Sequence, residues 1–322
     1  MSDYLTVFER RASAVLYRYL RGVTRPGTWL LPANVCPIVP AVYAKAGKTF
    51  EFADISPNTL CLDTTAAVAR MRCEPGKFAG VLFVHTYGHP GDFEEFFGQL
   101  KSLDQELQVV DDRCLCQPCF SRLGGVAEIE LYSSGYSKFV DMGWGGWGHL
   151  RKDVAYEAEP LPFDSAAQAQ LMQTFRTTLK ERTPFECPAS AWLDARPPEI
   201  TFEQFRNEIE ARLSAIARHR DQLNRIYSQQ LESWALPDEF LDWRFTIQCA
   251  QQRELLDAIF SAGHFASGHY ISLIPMFGLG IAPIAEKLGQ RAVNLFNDLR
   301  YTSDRATELS RLVLDHLHRG TT

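Results

Sequence analysis

The run Val109-Val-Asp-Asp-Arg-Cys-Leu115 is followed by a Cys- and Gly-rich turn, by Ile129-Glu-Leu-Tyr-Ser-Ser-Gly-Tyr-Ser-Lys138, and then by Gly143-Trp-Gly-Gly146. An apolar run that ends in carboxylates reads as a buried strand delivering its acids at its C-terminal end, where open α/β sheets place their ligands. Ile129 to Tyr132 reads as a second short strand, ending in hydroxyls and one lysine. An acid, several serines and a lysine thus reach one sheet edge within about thirty residues.

The flanking sequence supports that sheet. Tyr4 to Gly22 carries Leu5, Phe8, Ala12, Val15, Leu16 and Leu20 at three- and four-residue steps, which predicts one amphipathic helix capped by Gly22. Gly27 to Pro37 predicts a short strand and a proline-bounded turn, and Lys45 to Asp54 the next strand. Leu60 to Arg72 and Phe93 to Leu107 have helical patterns, and Phe78 to Val84 is an apolar run leading into His85. Strands alternating with helices over residues 25–150 are what βαβ units require. Beyond Arg151 the chain is polar and proline-broken to about residue 200, with a helix predicted over Ala166 to Glu181. Thr201 and Gln204 form a capping pair for a long helix reaching Trp234. The charges of its Arg218 to Leu231 segment, Arg220 included, read as a solvated face. A strand at Arg244 to Cys249, a helix from Gln252 capped by Gly263, a strand from Ser267 and a terminal helix complete a small α+β lobe.

A carboxylate, hydroxyls and a lysine at one edge are the groups a pyridoxal phosphate site needs. The carboxylate keeps the pyridine nitrogen protonated, the hydroxyls hold the phosphate, and the lysine condenses with the aldehyde. At these residues the chain resembles the sugar aminotransferases of the DegT/DnrJ/EryC1/StrS family, of fold type I. In that family a strand ends in Glu-Asp, and a Ser-x-x-x-x-Lys segment leads into Gly-Glu-Gly-Gly. The counterparts here are Asp111-Asp112, Ser133 to Lys138, and Gly143 to Gly146. The resemblance covers most of the chain and is specific around residues 109–146. It implies an α/β, aspartate-aminotransferase-like fold: a large lobe (residues 1–195) with a mainly parallel sheet flanked by helices, and a linker helix with a smaller α+β lobe (residues 196–322).

The resemblance also implies roles. Lys138 would link covalently to pyridoxal 5'-phosphate and carry the proton in transamination, and Asp112 would face the pyridine nitrogen. Asp112 ranks above Asp111 because adjacent strand residues point to opposite faces. Ser133, with Ser13 and Ser137, would hold the phosphate. His85, at its strand end, would point to the ligand edge, and Cys36 falls where the family stacks an aromatic on the ring. The substrates implied are a nucleotide-linked keto sugar and an amino donor such as glutamate, for surface polysaccharide or secondary-metabolite biosynthesis. A homodimer is implied too, with Trp144, Trp147, Tyr17, Tyr19 and Trp29 expected at its interface. Departures from the family pattern fall at Cys36, at Leu115 where a glutamine is usual, and at Trp144 where a glutamate is usual. An Asn-Tyr-Arg motif is missing, and the N-terminal arm is shorter than the family's. Two readings stay open: an aminotransferase, or a member that keeps the fold but serves as a binding or regulatory protein.

Composition sets the outer bounds. The chain has 322 residues, 46% hydrophobic and 22% charged, enough for a sizeable core of soluble type. A formal charge of −6 and the lack of a basic block argue against nucleic acid as a partner. No apolar run approaches the roughly 20 residues of a membrane-spanning helix, and the N-terminus has no signal-peptide pattern. Eight cysteines then read as reduced thiols of a cytoplasmic protein. Cys114, Cys116 and Cys119 lack a second cluster with ligand spacing, so no metal is expected.

Overall fold

The computed structural model describes residues 4–122 and 124–319. Its first part runs β1 (Tyr4–Glu9), α1 (Ala12–Gly22), β2 (Thr28–Pro32), α2 (Ile38–Lys45), β3 (Phe50–Ala53), α3 (Thr64–Cys73) and β4 (Phe78–Val84). It continues through α4 (Glu94–Leu103), β5 (Gln108–Asp112), β6 (Ile129–Ser133) and β7 (Gly146–Arg151). These seven strands form one sheet in the order β1-β7-β6-β5-β4-β2-β3. The pairs from β3 to β6 are parallel; β7 runs antiparallel to β6, and β1 antiparallel to β7.

Successive strand residues point to opposite faces, and the core divides accordingly. Leu82, Val84 and Val110 pack with Val15 and Tyr19 of α1 and Val42 of α2. Val81, Phe83 and Val109 pack with Val68 and Met71 of α3 and Phe97 and Leu100 of α4. With helices on both faces, β4 is buried along its whole length, as its unbroken apolar run requires. Asp63 caps α3, its Oδ1 accepting from Ala66 N at 2.9 Å, a contact worth about 1 kcal/mol.

Two expectations fail at the N-terminal end. The single helix over Tyr4–Gly22 is a strand followed by a helix. Residues 4–9 also fit a two-residue alternation, and pairing with β7 decides between the periods: Phe8 opposes Trp147, and Glu9 opposes Gly146. Glu9 points inward to the Arg18 guanidinium of α1 at 2.9 Å. The aromatics expected at an interface are instead packed within the chain: Trp29, Trp147 and Tyr19 are fully buried. Trp147 stacks between Tyr132 and Phe120, at centroid distances of 5.4 and 5.0 Å. Trp144 packs against Phe8 and Phe205, and Tyr17 is half-buried.

The Gly143-Trp-Gly-Gly146 run leads into β7, whose first residue is Gly146. A Cβ on Gly146 would stand 2.0 Å from Ala12 N, so only glycine lets the first turn of α1 lie against the sheet there. That contact carries Arg11 and Ser13 to the end of β6.

The second part comprises α5 (Ser165–Glu181), α6 (Phe202–Leu231), β8 (Phe245–Gln248), α7 (Gln252–Ser261), β9 (Ala266–Ser267), α8 (Ile274–Phe277), α9 (Pro283–Gly289), β10 (Ala292–Leu295) and α10 (Ser303–Arg319). β8, β10 and β9 form an antiparallel sheet in that order. The capping pair forms as read: Gln204 N donates to Thr201 Oγ1 at 3.2 Å, and Thr201 N to Gln204 Oε1 at 2.9 Å. Phe205 and Ile209 of α6 pack on Trp147, while Leu223, Tyr227 and Leu231 join the core of the smaller sheet. The strand expected from Ser267 extends over two residues only. The chain then turns away, and Tyr87 Oη donates to His269 O at 2.9 Å and accepts from Tyr270 N at 3.1 Å.

Candidate active site

A cavity of about 610 Å³ opens at the C-terminal ends of β4, β5 and β6, on the face covered by α1 and α2. Each strand contributes the residue whose parity points that way: Val84 from β4, Asp112 from β5, Ser133 from β6. α5 and the segment after it cover the cavity with Leu171, Phe175, Leu179 and Trp192. Among the described residues, Asp112 is the one carboxylate and Lys138 the one lysine in its lining.

Asp112 is buried, and Cys114 N donates to its Oδ1 at 2.9 Å. Burial pushes its carboxyl above the usual range, opposed chiefly by the positive charge of Lys138. Both groups line the same cavity. Asp111 lies on the other face of the sheet. Its oxygens meet His85 Nε2 at 2.8 Å and Arg113 Nε at 2.6 Å. Burial pushes this carboxyl up as well, but His85 and Arg113 together outweigh it and hold it below the usual range.

Ser133, Ser13, Ser137 and Cys36 line the same cavity as Asp112 and Lys138. Ser133 Oγ accepts from Gly135 N at 3.2 Å. Burial pushes the Cys36 thiol up, against the opposing charge of Lys138, so a neutral thiol flanks the space. His85 is the exception. Expected at the ligand edge, it is fully buried on the opposite face, with Nδ1 2.7 Å from His89 O. The same alternation that selects Asp112 removes His85 and puts Thr86 in the lining instead. Trp144 also lies outside the cavity lining.

Several contributors were not legible in the sequence. Trp243 lines the cavity, and its Nε1 donates to Ser137 O at 2.6 Å. Arg220, read as part of a solvated face, is buried; its guanidinium donates to Lys138 O at 3.2 Å and Phe139 O at 2.9 Å. The loop carrying Lys138 is thus fastened from behind by the long helix and by the residues before β8. Arg11, Asn34, Gln168, Arg176, His269 and Tyr270 add to the polar lining. Burial, with Arg244 and Lys138 adding to it, depresses His269, so its ring is neutral at neutral pH.

The cysteine cluster takes part in local contacts. Cys114 Sγ lies 3.8 Å from Leu131 O, and Cys119 Sγ 2.9 Å from Ser121 O. All eight cysteines are free. Among the described residues, no group of three His, Cys, Asp or Glu side chains is arranged to hold a metal.

The cavity suits pyridoxal phosphate on its own chemistry. A buried carboxylate raised by burial is relieved by a cationic ring nitrogen, and the lysine amine stands within electrostatic reach of it. At Gly135 a Cβ would meet only Ser133 Oγ at 3.4 Å and Arg11 Nη1 at 3.8 Å, which leaves a small polar cradle beside the β6 end.

No family model matches the sequence, and no curated protein matches it. Solved structures match its shape over nearly the whole chain. A DegT DnrJ EryC1 StrS aminotransferase from Brucella abortus superposes with a TM-score of 0.69 at 16% identity, covering 97% of this chain and 86% of that one. DesI, solved in the presence of its TDP-sugar product, gives 0.72 at 16% identity, covering 98% and 81%. Helicobacter pylori PseC, an aminotransferase involved in the biosynthesis of pseudoaminic acid, gives 0.68 at 12% identity, covering 98% and 87%. At such identities the likeness speaks for architecture. The chain has the α/β fold of these aminotransferase structures, with the large, mostly parallel seven-stranded sheet and flanking helices of fold type I.

Proposed function

We propose that this protein is a pyridoxal-phosphate-dependent aminotransferase acting on a nucleotide-linked keto sugar, with an amino donor such as glutamate. The observation that carries the reading is that Asp112 and Lys138 line one cavity at the sheet's C-terminal edge. The solved structures of similar shape add to it: one was solved in the presence of its TDP-sugar product, and another is a sugar aminotransferase from Micromonospora echinospora. Pyridoxal phosphate, when bound, supplies the electron sink that acidifies the amino donor's Cα–H. The protein's part is to position and to move protons. Asp112 would keep a pyridine nitrogen protonated, Ser133 with Ser13 and Ser137 would hold the phosphate, and the Lys138 amine would take up and return the substrate's Cα proton. α5 and Trp192 exclude water above them.

The competing reading, a binding or regulatory protein that keeps the fold, leaves Asp112 and Lys138 in one cavity without a purpose. One preparation separates the two. Purified protein supplied with the cofactor should show the visible absorbance of a lysine-bound pyridoxal group and lose it on addition of glutamate. Borohydride reduction and peptide mapping should label Lys138. Label on another lysine, or a band indifferent to every amino donor, would overturn the assignment.

The same reading includes a homodimer in the cytoplasm. The buried aromatics no longer argue for the dimer. Tyr136 and Met172, which line the cavity and remain largely exposed, offer apolar surface at its mouth for a second copy. Light scattering at micromolar concentration tests this; a 36 kDa species that turns over rejects it. No helix among the described residues is long and apolar enough to cross a membrane.

A further inference from the structure

Arg11 stands immediately before α1, at its N-cap, with its guanidinium lining the cavity. N-caps favour short side chains that accept hydrogen bonds, and a helix start carries partial positive charge. A guanidinium there is repelled by the helix dipole. The usual remedies are missing: no side chain caps α1, and its first turn has no acidic residue. Arg10 and Arg18 nearby are ion-paired, to Glu199 and Glu9, both at 2.9 Å. Among the described residues Arg11 has no carboxylate partner. Its contacts are the Gly143 carbonyl, 2.7 Å from Nη1, and the face of Tyr136, 5.5 Å from the guanidinium carbon. Both hold the guanidinium in place without neutralising it.

Around this charge the sequence gathers donors. Ser13 follows two residues later, and Ser133 Oγ and Arg11 Nη1 bound the open space over Gly135. Gly146 permits the close approach of α1 to β7 that brings these groups to one place. An uncompensated cation, a helix start without its anion and two hydroxyls around one gap form a receptor for a compact dianion.

We propose that Arg11 is the phosphate-binding residue of this site, and that with the start of α1, Ser13 and Ser133 it completes the phosphate cup from within one chain. The assignment rests on the cofactor reading above. It makes the 5'-phosphate monoester, rather than the ring, the group that Arg11 recognises.

The experiment compares wild type, Arg11→Ala and Arg11→Lys, each freed of cofactor. Affinities for pyridoxal phosphate and for pyridoxal, which lacks the phosphate, are read from the visible absorbance. Thermal melts are recorded with and without inorganic phosphate. Arg11→Ala should weaken pyridoxal phosphate binding by about 10- to 100-fold, the range for a charge-assisted contact, and change pyridoxal binding by less than about threefold. Arg11→Lys should recover part of that loss, because it keeps the charge but not the fork. Inorganic phosphate should raise the melting temperature of wild type and not of Arg11→Ala. Equal losses for both ligands, or none, overturn the assignment of Arg11. If wild type takes up neither ligand yet is stabilised by phosphate through Arg11, the cofactor reading falls and the anion cup stands.

Discussion

The guanidinium of Arg220 donates to the main-chain carbonyl of Lys138 at 3.2 Å, across 82 residues of sequence. It also donates to Phe139 O at 2.9 Å and Trp243 O at 2.7 Å, so one buried side chain of α6 anchors the lysine loop to the smaller sheet. Replacing it with alanine leaves buried carbonyls unpaired, at about 1–3 kcal/mol each. Arg220→Ala should therefore lower stability by several kcal/mol in urea unfolding. Arg220→Lys should fold but slow borohydride labelling of Lys138, because an ammonium cannot span the three carbonyls. Wild-type stability and labelling in Arg220→Lys would show that the anchor does not position the lysine.

Asp112→Asn keeps the shape of the cavity and removes the charge that holds the ring proton. Transamination should fall by about 10²–10⁴-fold, as for other proton-handling groups. Asp111→Asn, on the opposite face, should retain most of the turnover in the folded protein. Steady-state kinetics of the two variants decide the matter; equal losses would mean that the sheet faces do not separate their roles.

Asp111 also carries a pH dependence. Its folded pKa lies below the unfolded value of about 3.9, because His85 and Arg113 outweigh burial. The stability it contributes is complete above that unfolded value and is lost as pH falls through the lower folded one. Urea midpoints followed from pH 6 to about pH 2.5 should thus fall more steeply in wild type than in Asp111→Asn below about pH 4. Parallel curves would assign the acid sensitivity to other carboxylates.

Two glycines should answer alanine in opposite ways. Gly146→Ala puts a Cβ 2.0 Å from Ala12 N, and the backbone has nowhere to move. It should lose at least about 1–3 kcal/mol, with the start of α1 displaced and pyridoxal phosphate affinity reduced. Gly98, inside α4, has no atom within 4 Å of its would-be Cβ. Gly98→Ala should gain about 0.4–1 kcal/mol by restricting the unfolded chain. Denaturant melts of both variants test the pair.

Much of this fold is written in consecutive residues. The unbroken apolar run Phe78–Val84 specifies a strand buried on both faces, and Thr201 with Gln204 specifies where a long helix begins. The residue order Asp112, Ser133, Lys138 places an acid, a hydroxyl and an amine beyond successive strand ends, and the structure brings those three to one cavity. Local period, caps and strand ends act over a few residues, which is why a sequence displays them.

The tertiary structure decided the rest. Residues 4–9 satisfy both a helical and a strand pattern, and only β7, some 140 residues away, selects the strand. Asp111, Asp112 and His85 stand at strand ends alike, but the helices packed on each face determine which side holds the cavity. Asp112 is thereby turned in, and His85 with Asp111 turned away. Arg220 looks like any charge on a long helix until the Lys138 loop folds against it, and Trp147 like loop surface until Tyr132 and Phe120 enclose it. In each case the local sequence is compatible with two arrangements, and the choice falls to contacts between residues far apart in the chain, which form only when the whole fold does.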